Sequence, residues 1–554
     1  MTMDEKMLSR RIRQRYQELK TERSSWLETC REVTDFVNPR HGRYNVTDRN
    51  LANSRKSRII DSSALRSQRT LSAGLMSGMT SPARPWFNLQ MADPDLNKVG
   101  DVKNWLFDVS EIMRRIFNKS NVYRMLHTIY DELSLFGTAP AVINYHHNNI
   151  IHGFPLTAGE YCIGADEYGA IDTLYREYQM TIKAMVEQFG DKCSSNVLNM
   201  YDQGKYDAYY TVLQCIEPRL ECRVESPFAK DMPWRSIYLD EQGNILRESG
   251  YKQFPAVVPR WSVCSNDTYG VSPAMDALPD VKQLQLEQLR KSQGIDQQNN
   301  PTRIIPASMK NRMSSLMAGG VLFAQSPTDT AGVRSAFDIQ PDLNGLLMDI
   351  QDIRQRIDST FYADLFRMFE GNTQQMTAYE VSERQQEKML MLGPVLERLD
   401  NELLSPLINR TFDFMIQSDK VPPVPEDIQG EEMMIEYTSV MAQAQKAVSI
   451  NNQSRFLNSL GAIAQLDQNV LDKFDADAAV DDLAESLGVN PKMIVSGRKL
   501  ANIRNQKAQQ QAQIQAQQQG LAAAQQAKDM SQIDQTNLND VMGNLMGYGE
   551  NSTM

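Results

Sequence analysis

Residues 341–367, PDLNGLLMDIQDIRQRIDSTFYADLFR, carry the most regular apolar pattern in the chain. Leu343, Leu346, Leu347, Ile350, Ile353, Ile357, Phe361 and Leu365 recur at steps of three and four, which places them on one face of an α-helix. Pro341 stands where a helix tolerates proline, at its start. At 1.5 Å per residue a helix over 342–367 would run roughly 40 Å, longer than the usual three to four turns. Such an element spans a structure rather than filling a pocket.

The pattern stops at 368–376, MFEGNTQQM, where Gly371 and Asn372 can end a helix and Thr373, Gln374 and Gln375 keep the break polar. A second helix starts at Thr377, an N-cap residue with Glu380 three positions on, the spacing of a capping box. Met389, Leu392, Leu396, Leu399, Leu403, Leu407 and Ile408 hold one face of it. Pro394 and Pro406 should kink the run, since each removes an amide donor and crowds the carbonyl one turn back.

The phrase MTAYEVSERQQEKMLMLGPVLERLDNELLSPLINRTF at 376–412, with RIDSTFYADLFRMF at 356–369 before it and VPPVP at 421–425 after it, resembles the portal (head-to-tail connecting) proteins of short-tailed bacteriophages. The resemblance extends upstream through YGVSPAMDALPDVKQLQLEQLRKS at 269–292 and covers about residues 60–425. It implies an α+β, multidomain, predominantly helical chain that assembles as a ring from wing, stem, clip and crown parts. On this chain those parts fall at 1–271 (an α+β wing), 272–298 (first stem helix), 299–340 (a small α/β clip) and 341–367 (second stem helix). The tunnel loop then falls at 368–376, a kinked wing helix at 377–429, a helical crown at 430–505, and a Gln/Ala-rich barrel arm with a disordered tail at 506–554.

The local patterns agree with that order. A helix is expected over 4–37, ending at Asn38-Pro39, and further helices over 62–79, 102–117 and 122–136, with a strand at Trp86-Phe87-Asn88-Leu89. Hairpins follow from 141–145 with 151–154 and from 160–163 with 171–179, then a helix near 181–189 and strands at 208–216, 234–239 and 246–251. Between the helices 273–298 and 342–367 lie strand-like 302–306, 321–324 and 336–339 and a helical 309–317. A module of that size buries little surface alone, so neighbouring subunits would complete it. Beyond 425 the chain reads as helical, with runs at 433–448, 455–465, 480–487 and 491–495. The segment 506–526 holds eleven glutamines among alanines, a marginal helix or coiled-coil arm, and 537–554 has a disordered composition.

Composition excludes several classes. The 554 residues suffice for three or four domains. No stretch approaches 18 consecutive apolar residues, and the N-terminal MTMDEKMLSRRIRQRY lacks the apolar core of a signal peptide. The expectation is a protein made and kept in the cytosol, with no membrane partner. Six scattered cysteines lack Cys-x-x-Cys spacing and read as reduced and structural. His146, His147 and His152 read as ordinary hairpin residues, since strand neighbours point to opposite faces. The net charge of −11 gives no bulk attraction to nucleic acid, although residues 1–58 carry a local +6 that reads as a solvated helix and loop.

No catalytic constellation is found, and no cofactor or metal is expected. Gly204-Lys205 has Asn199 and Tyr206 where a phosphate-binding Walker loop needs Gly and Ser/Thr. Gly74-Leu75-Met76-Ser77-Gly78 places its serine one position late for a nucleophile elbow, and there is no His-Glu-x-x-His. Acid pairs such as Asp349/Asp352 and Asp400/Glu402 read as solvated helix faces.

What remains is either a portal or a scaffold-type oligomeric virion protein, and the latter leaves the small α/β insertion unexplained. The resemblance implies about twelve subunits at one capsid vertex, with double-stranded DNA passing non-specifically through the ring. A terminase, major capsid and scaffolding proteins, tail adaptor or tail tube proteins and, in some members, internal core proteins would be its partners. The virion portal vertex is the expected location, reached from the host cytoplasm. It also implies that Met368, Glu370, Gly371, Asn372, Thr373, Gln374 and Gln375 face DNA as the tunnel loop. Asp349, Asp352, Gln355 and Arg356, off the apolar face, become candidate channel-lining residues, and Ile350, Ile353, Ile357 and Phe361 candidate subunit-packing residues.

Overall fold

A computed structural model describes residues 3–47, 59–93, 95–219, 228–301, 303–306, 321–324, 334–335, 343–367, 392–428, 433–437, 474–480 and 500–522, with isolated positions at 456, 459–461, 493 and 525. The chain divides into two compact units: one of 1–89, 108–423 and 435–461, the other of 90–107, 424–434 and 462–554.

In the first unit the organising element is an antiparallel five-stranded meander of β4 (Tyr161–Ala165), β5 (Ile171–Thr181), β6 (Tyr209–Pro218), β7 (Trp234–Asp240) and β8 (Ile245–Tyr251). Strand periodicity of two sends alternate residues to opposite faces. Leu213 and Cys215 of β6, with Tyr175, Cys162, Ile237 and Leu239, pack against Ile12, Tyr16 and Leu19 of α1 (Met3–Glu22). Tyr210 and Val212, one register away, face Ile182, Met185 and Phe189 of α6 (Ile182–Phe189) and Val197 of α7 (Ser195–Asp202). Full burial of each such side chain contributes about 1.5–3 kcal/mol relative to exposure. Thr181 caps α6, its hydroxyl accepting from the Ala184 amide at 3.3 Å.

A second hairpin, β2 (Ala141–His146) with β3 (Ile150–Pro155), takes β9 (Ala256–Val257) on its other side. The expected hairpins therefore form, whereas β9 and α7 carry too little pattern to be read. The helix expected over 4–37 is two, α1 and α2 (Ser24–Phe36), turned at Arg23, whose guanidinium donates to the carbonyls of Gly159 and Tyr161. After them in the chain come α3 (Ser63–Met79), β1 (Phe87–Met91), α4 (Gly100–Lys119) and α5 (Val122–Phe136). Gly137 ends α5 in the left-handed region at φ 72°, and a Cβ there would strike the Gly270 backbone, so both the turn and the close approach require glycine.

The long helices also break where sequence periodicity is silent. The run expected over 273–298 is α8 (Pro273–Asp276) and α9 (Leu278–Asn299), opened by Ser272, whose hydroxyl accepts from the Met275 amide. Between α9 and α10 (Leu343–Thr360) lies a three-stranded sheet, β10 (Arg303–Pro306) parallel to β11 (Val321–Ala324) and antiparallel to β12 (Arg334–Ser335). The third strand is thus at 334–335; the expected 336–339, like the expected helix 309–317, lies outside the described residues.

Instead of one helix over 342–367 there are α10 and α11 (Ala363–Arg367), separated at Tyr362, which takes φ 53°. A non-glycine side chain rarely adopts that conformation. The Tyr362 ring lies 6.1 Å from that of Trp261, a contact that offsets the conformational cost.

The proline-containing run changes helix type near Pro406. It is α12 (Gly393–Leu399), a π-helical segment Asp400–Leu404, and α13 (Ser405–Gln417). Pro406 cannot donate to the carbonyl four residues back, and the wider π turn just before it relieves that clash. The portion of that run at 377–391 lies outside the described residues.

One helical expectation fails: residues 433–437 form β13 (Met433–Tyr437). Burial alternates along it, Met434 being exposed between half-buried Met433 and Ile435, and Ile and Tyr suit a pleated strand. In the second unit a helix covers 500–522, and Arg504 pairs with Asp477 through both guanidinium nitrogens. The tail 526–554 lies outside the described residues.

Candidate functional site

Helices α9, α10 and α3 pack together and carry the residues singled out on 341–367. Ile350, Ile353, Ile357 and Phe361 are 0–1 % exposed within the single chain. Their stripe is filled by the protomer's own helices, so the structure assigns these four to the protomer core, not to a free subunit face. Asp349, Asp352, Gln355 and Arg356 are all exposed on the opposite side. Arg356 reaches Asp352 at 3.4 Å and Asp280 of α9 at 3.5 Å, a surface network that salt screens.

Missed in the sequence is the carboxylate that ties these helices together. Asp61, 7 % exposed, accepts from the Ser63 amide and hydroxyl at 2.8 and 2.5 Å, from Gln288 of α9 at 3.0 Å, and from Arg354 of α10 at 3.1 and 2.6 Å. Gln285 of α9 closes the loop, accepting from the Ile60 and Asp61 amides and donating to the Asp61 carbonyl. Burial pushes the Asp61 carboxyl up, but the hydrogen bonds from Ser63 and Arg354 outweigh it and hold the group below its ordinary value. Asp-Ser-Ser before α3 signals a capped helix start; nothing local signals partners more than two hundred residues away. A second bridge runs from Asp358 of α10 to Ser67 of α3 and to Arg367 of α11. Gly74, which fails as part of a nucleophile motif, instead lets the Phe366 ring of α11 lie directly on α3.

The π segment holds another junction. Glu402 accepts from the Arg260 amide at 2.8 Å and from its guanidinium Nε and Nη2 at 3.2 and 2.7 Å, and Arg260 Nη2 also donates to the Gly169 carbonyl. Beside it opens a cleft of about 970 Å³ lined by Arg260, Arg398, Asn401, Glu402, Asn409 and Arg410, among others. Asp400, two residues away, has its carboxyl pushed up to about 7 by burial and by the Glu397 charge. The pair Asp400/Glu402 is therefore not a solvated face, unlike Asp349/Asp352; the π turn rotates Glu402 onto Arg260, which heptad spacing does not reveal.

Another buried pair lies elsewhere: His41 Nδ1 is 2.8 Å from Glu132, whose two oxygens also accept from the Thr157 hydroxyl. Burial lowers the imidazole's affinity for a proton, and Glu132 more than restores it, leaving His41 above its ordinary value. His146 and His152 sit 5.9 Å apart on the β2–β3 hairpin, and His146 Nδ1 accepts from the Asn149 amide, a turn role. Among the described residues no group of three or more His, Cys, Asp or Glu is disposed to hold a metal ion, and no described helix is long and apolar enough to cross a membrane. Cys30, Cys162, Cys193 and Cys215 are buried as free thiols and Cys264 is exposed. Met368, Glu370, Gly371, Asn372, Thr373, Gln374 and Gln375 lie outside the described residues.

What these junctions build is a framework of helices locked to a sheet by buried polar ties, without a nucleophile, base or metal assembled in one cavity among the described residues. The family model of the bacteriophage head-to-tail connecting protein matches residues 9–495. The chain belongs to the phage portal, or head-to-tail connecting, family. It is 45% identical over 542 residues to a probable portal protein of Bordetella phage BPP-1, covering 96% of this chain and 98% of that one. It is 40% identical over 528 residues to the portal protein of Salmonella phage epsilon15, covering 94% and 95% of the two. Both portal relatives thus span the π segment and both units, not only the motif-bearing middle.

Proposed function

We propose that this portal chain forms a ring of about twelve copies at one capsid vertex, through which genomic DNA is packaged, retained and ejected. The observation that carries the reading is likeness to portal proteins along almost the full length of both partners. The α9–α10 pair flanking the small sheet β10–β12 supports a stem–clip–stem arrangement, with the sheet-bearing half at 1–271 as wing and 430–505 as crown. A module of three strands, the shortest of two residues, has too little surface to fold alone and is suited to completion by neighbouring copies. A terminase would dock on the ring during packaging and tail adaptors afterwards, with capsid and scaffolding proteins at its rim and core proteins within the head.

The exposed Asp349, Asp352, Gln355 and Arg356 are the side chains of α10 available to line the channel. Their mixed sign, in a chain of net charge −11, would let a duplex slide without the salt-dependent grip of a basic surface. Residues 368–376 would project towards the DNA, Thr373, Gln374 and Gln375 offering neutral hydrogen bonds to phosphate. Replacing Gln374 and Gln375 with Glu should leave rings intact and change the length or retention of packaged DNA.

Electron microscopy of the purified full-length protein tests the reading directly. A ring with a central channel is expected; filaments or only monomers would overturn it and favour a scaffold-type role. The ring is expected to do no chemistry of its own, and ATP hydrolysis abolished by a point mutation in this chain would contradict that.

A further inference from the structure

A cavity of about 670 Å³ opens where the α1–α2 turn, residues 43–47 and the start of β4 meet the outer edge of β5. Four cations front it, Lys20, Arg23, Arg43 and Arg176, against two carboxylates, Glu160 and Glu177. Lys20 is matched by Glu177 at 3.0 Å and Arg43 by Glu160. The other two are not matched. Arg23 is 4 % exposed, donates only to the Gly159 and Tyr161 carbonyls, and has an Nε–H with no acceptor. Arg176 lies 5.0 Å from the Phe154 ring centroid and 4.1 Å from that of Tyr178, and its buried Nε–H also lacks an acceptor. Among the described residues neither has a carboxylate at ion-pair distance.

A buried guanidinium without a counter-charge is costly; Arg23 is one, and the half-buried Arg176 adds a second unmatched cation at the same cavity, so the site calls for an anion from outside. We propose that this cavity is a phosphate-binding site, in which a phosphate group supplies the counter-charge that Arg23 and Arg176 lack. A tetrahedral oxyanion fits better than a carboxylate. The cations come from separate elements and so approach from different sides, where a phosphate presents acceptors in all directions and a carboxylate only in one plane. The carboxylates of the wall are already committed to Lys20 and Arg43. The phosphate can come from a free phosphate or phosphomonoester, or from a phosphodiester of nucleic acid. The proposal is independent of whether the chain forms a ring.

The test is calorimetric titration of the full-length protein at constant ionic strength, with inorganic phosphate and, separately, with short oligothymidylate lacking terminal phosphate. Saturable binding is expected, with Kd raised about tenfold or more in Arg176→Gln, the loss typical of one charge-assisted hydrogen bond. Binding of inorganic phosphate alone assigns the site to free phosphate or a phosphomonoester; Arg176-dependent binding of oligothymidylate assigns it to a phosphodiester. Absence of saturable binding of either probe, or an unchanged Kd in a folded Arg176→Gln, overturns the proposal. Should that variant lose its circular dichroism signature, the wild-type protein still decides. Phosphate, and not chloride, should slow phenylglyoxal modification of Arg43 and Arg176, and equal rates in the two salts would refute the site.

Discussion

Two helices of similar length in this chain are stabilised in opposite ways. α10 is an ordinary mixture of residues with an apolar stripe, and Ile350, Ile353 and Ile357 along it are wholly buried. The helix over 500–522 is longer, richer in good helix formers, and exposed along nearly all its length, Ile514 at 55 % and Leu521 at 68 %. Propensity sums to a few kcal/mol and sustains a helix only marginally in water, whereas a buried stripe fixes one in place through tertiary packing. The first helix is therefore a structural beam of the protomer. The second leaves nearly all of its surface exposed.

The largest effect should come from a charge placed inside the stripe. Ile353→Asp puts a carboxylate among apolar side chains with no donor or cation provided, and should cost about 4–5 kcal/mol. Because Ile353 is filled within the protomer, thermal unfolding of the protomer should fall along with any loss of rings in mass photometry. A variant with normal melting but no rings would mean that the stripe faces a neighbouring copy instead.

A smaller loss is expected at Asp61, where α3 is tied to α9 and α10 by polar contacts. Asp61→Ala removes acceptors for Ser63, Gln288 and Arg354 and should cost about 2–3 kcal/mol in chemical denaturation. Since the folded state holds this carboxyl below its ordinary value, its stabilisation is full above the unfolded pKa and fades as pH falls through the folded one. The gap between wild type and variant should therefore narrow under acid. A gap that stays constant down to pH 2 would show that charge plays no part in the tie.

Asp400 should behave with the opposite sign. Its carboxyl is raised to about 7 in the fold, so the stability it allows is present below the unfolded value and is lost as pH rises through 7. Asp400→Asn should stabilise the protein at pH 8 by about 1–2 kcal/mol, after discounting for solvent screening, and by little at pH 4. Equal melting shifts at both values would contradict the raised pKa.

How far the sequence reveals these features depends on whether their cause is local. The α10 stripe, the hairpin β2–β3 and the capped start at Ser272 each follow from residues within one turn or one hairpin of each other. The break at Tyr362 does not, because it rests on a ring contact with Trp261, a hundred positions upstream. The Asp61 tie and the Arg260–Glu402 clamp likewise join residues 142–293 apart. Residues 433–437, expected as the start of a helix over 433–448, form a strand instead, because five apolar and polar residues carry too short a period to separate the two. The candidate site was legible only as an amphipathic division of α10, polar residues outside and apolar inside; the apolar face is met within the protomer, and what the polar face meets in an assembly is decided by other copies.

The exposed helix supplies the smallest expected effect. Ending the chain at Asn505 removes the segment from Gln506 onward while keeping Arg504 and its paired contact with Asp477. From 506 to 522 every described position is exposed, so losing that helix opens no core among the described residues, and protomer stability should change by less than about 0.5 kcal/mol. If the helix is an arm added to an already complete ring, truncated protein should still give rings of normal mass by mass photometry. The informative failure would be unchanged protomer melting with all oligomers lost. That result would mean the Gln/Ala helix obtains from neighbouring copies the burial that α10 finds within its own chain, and that ring assembly begins at the arm.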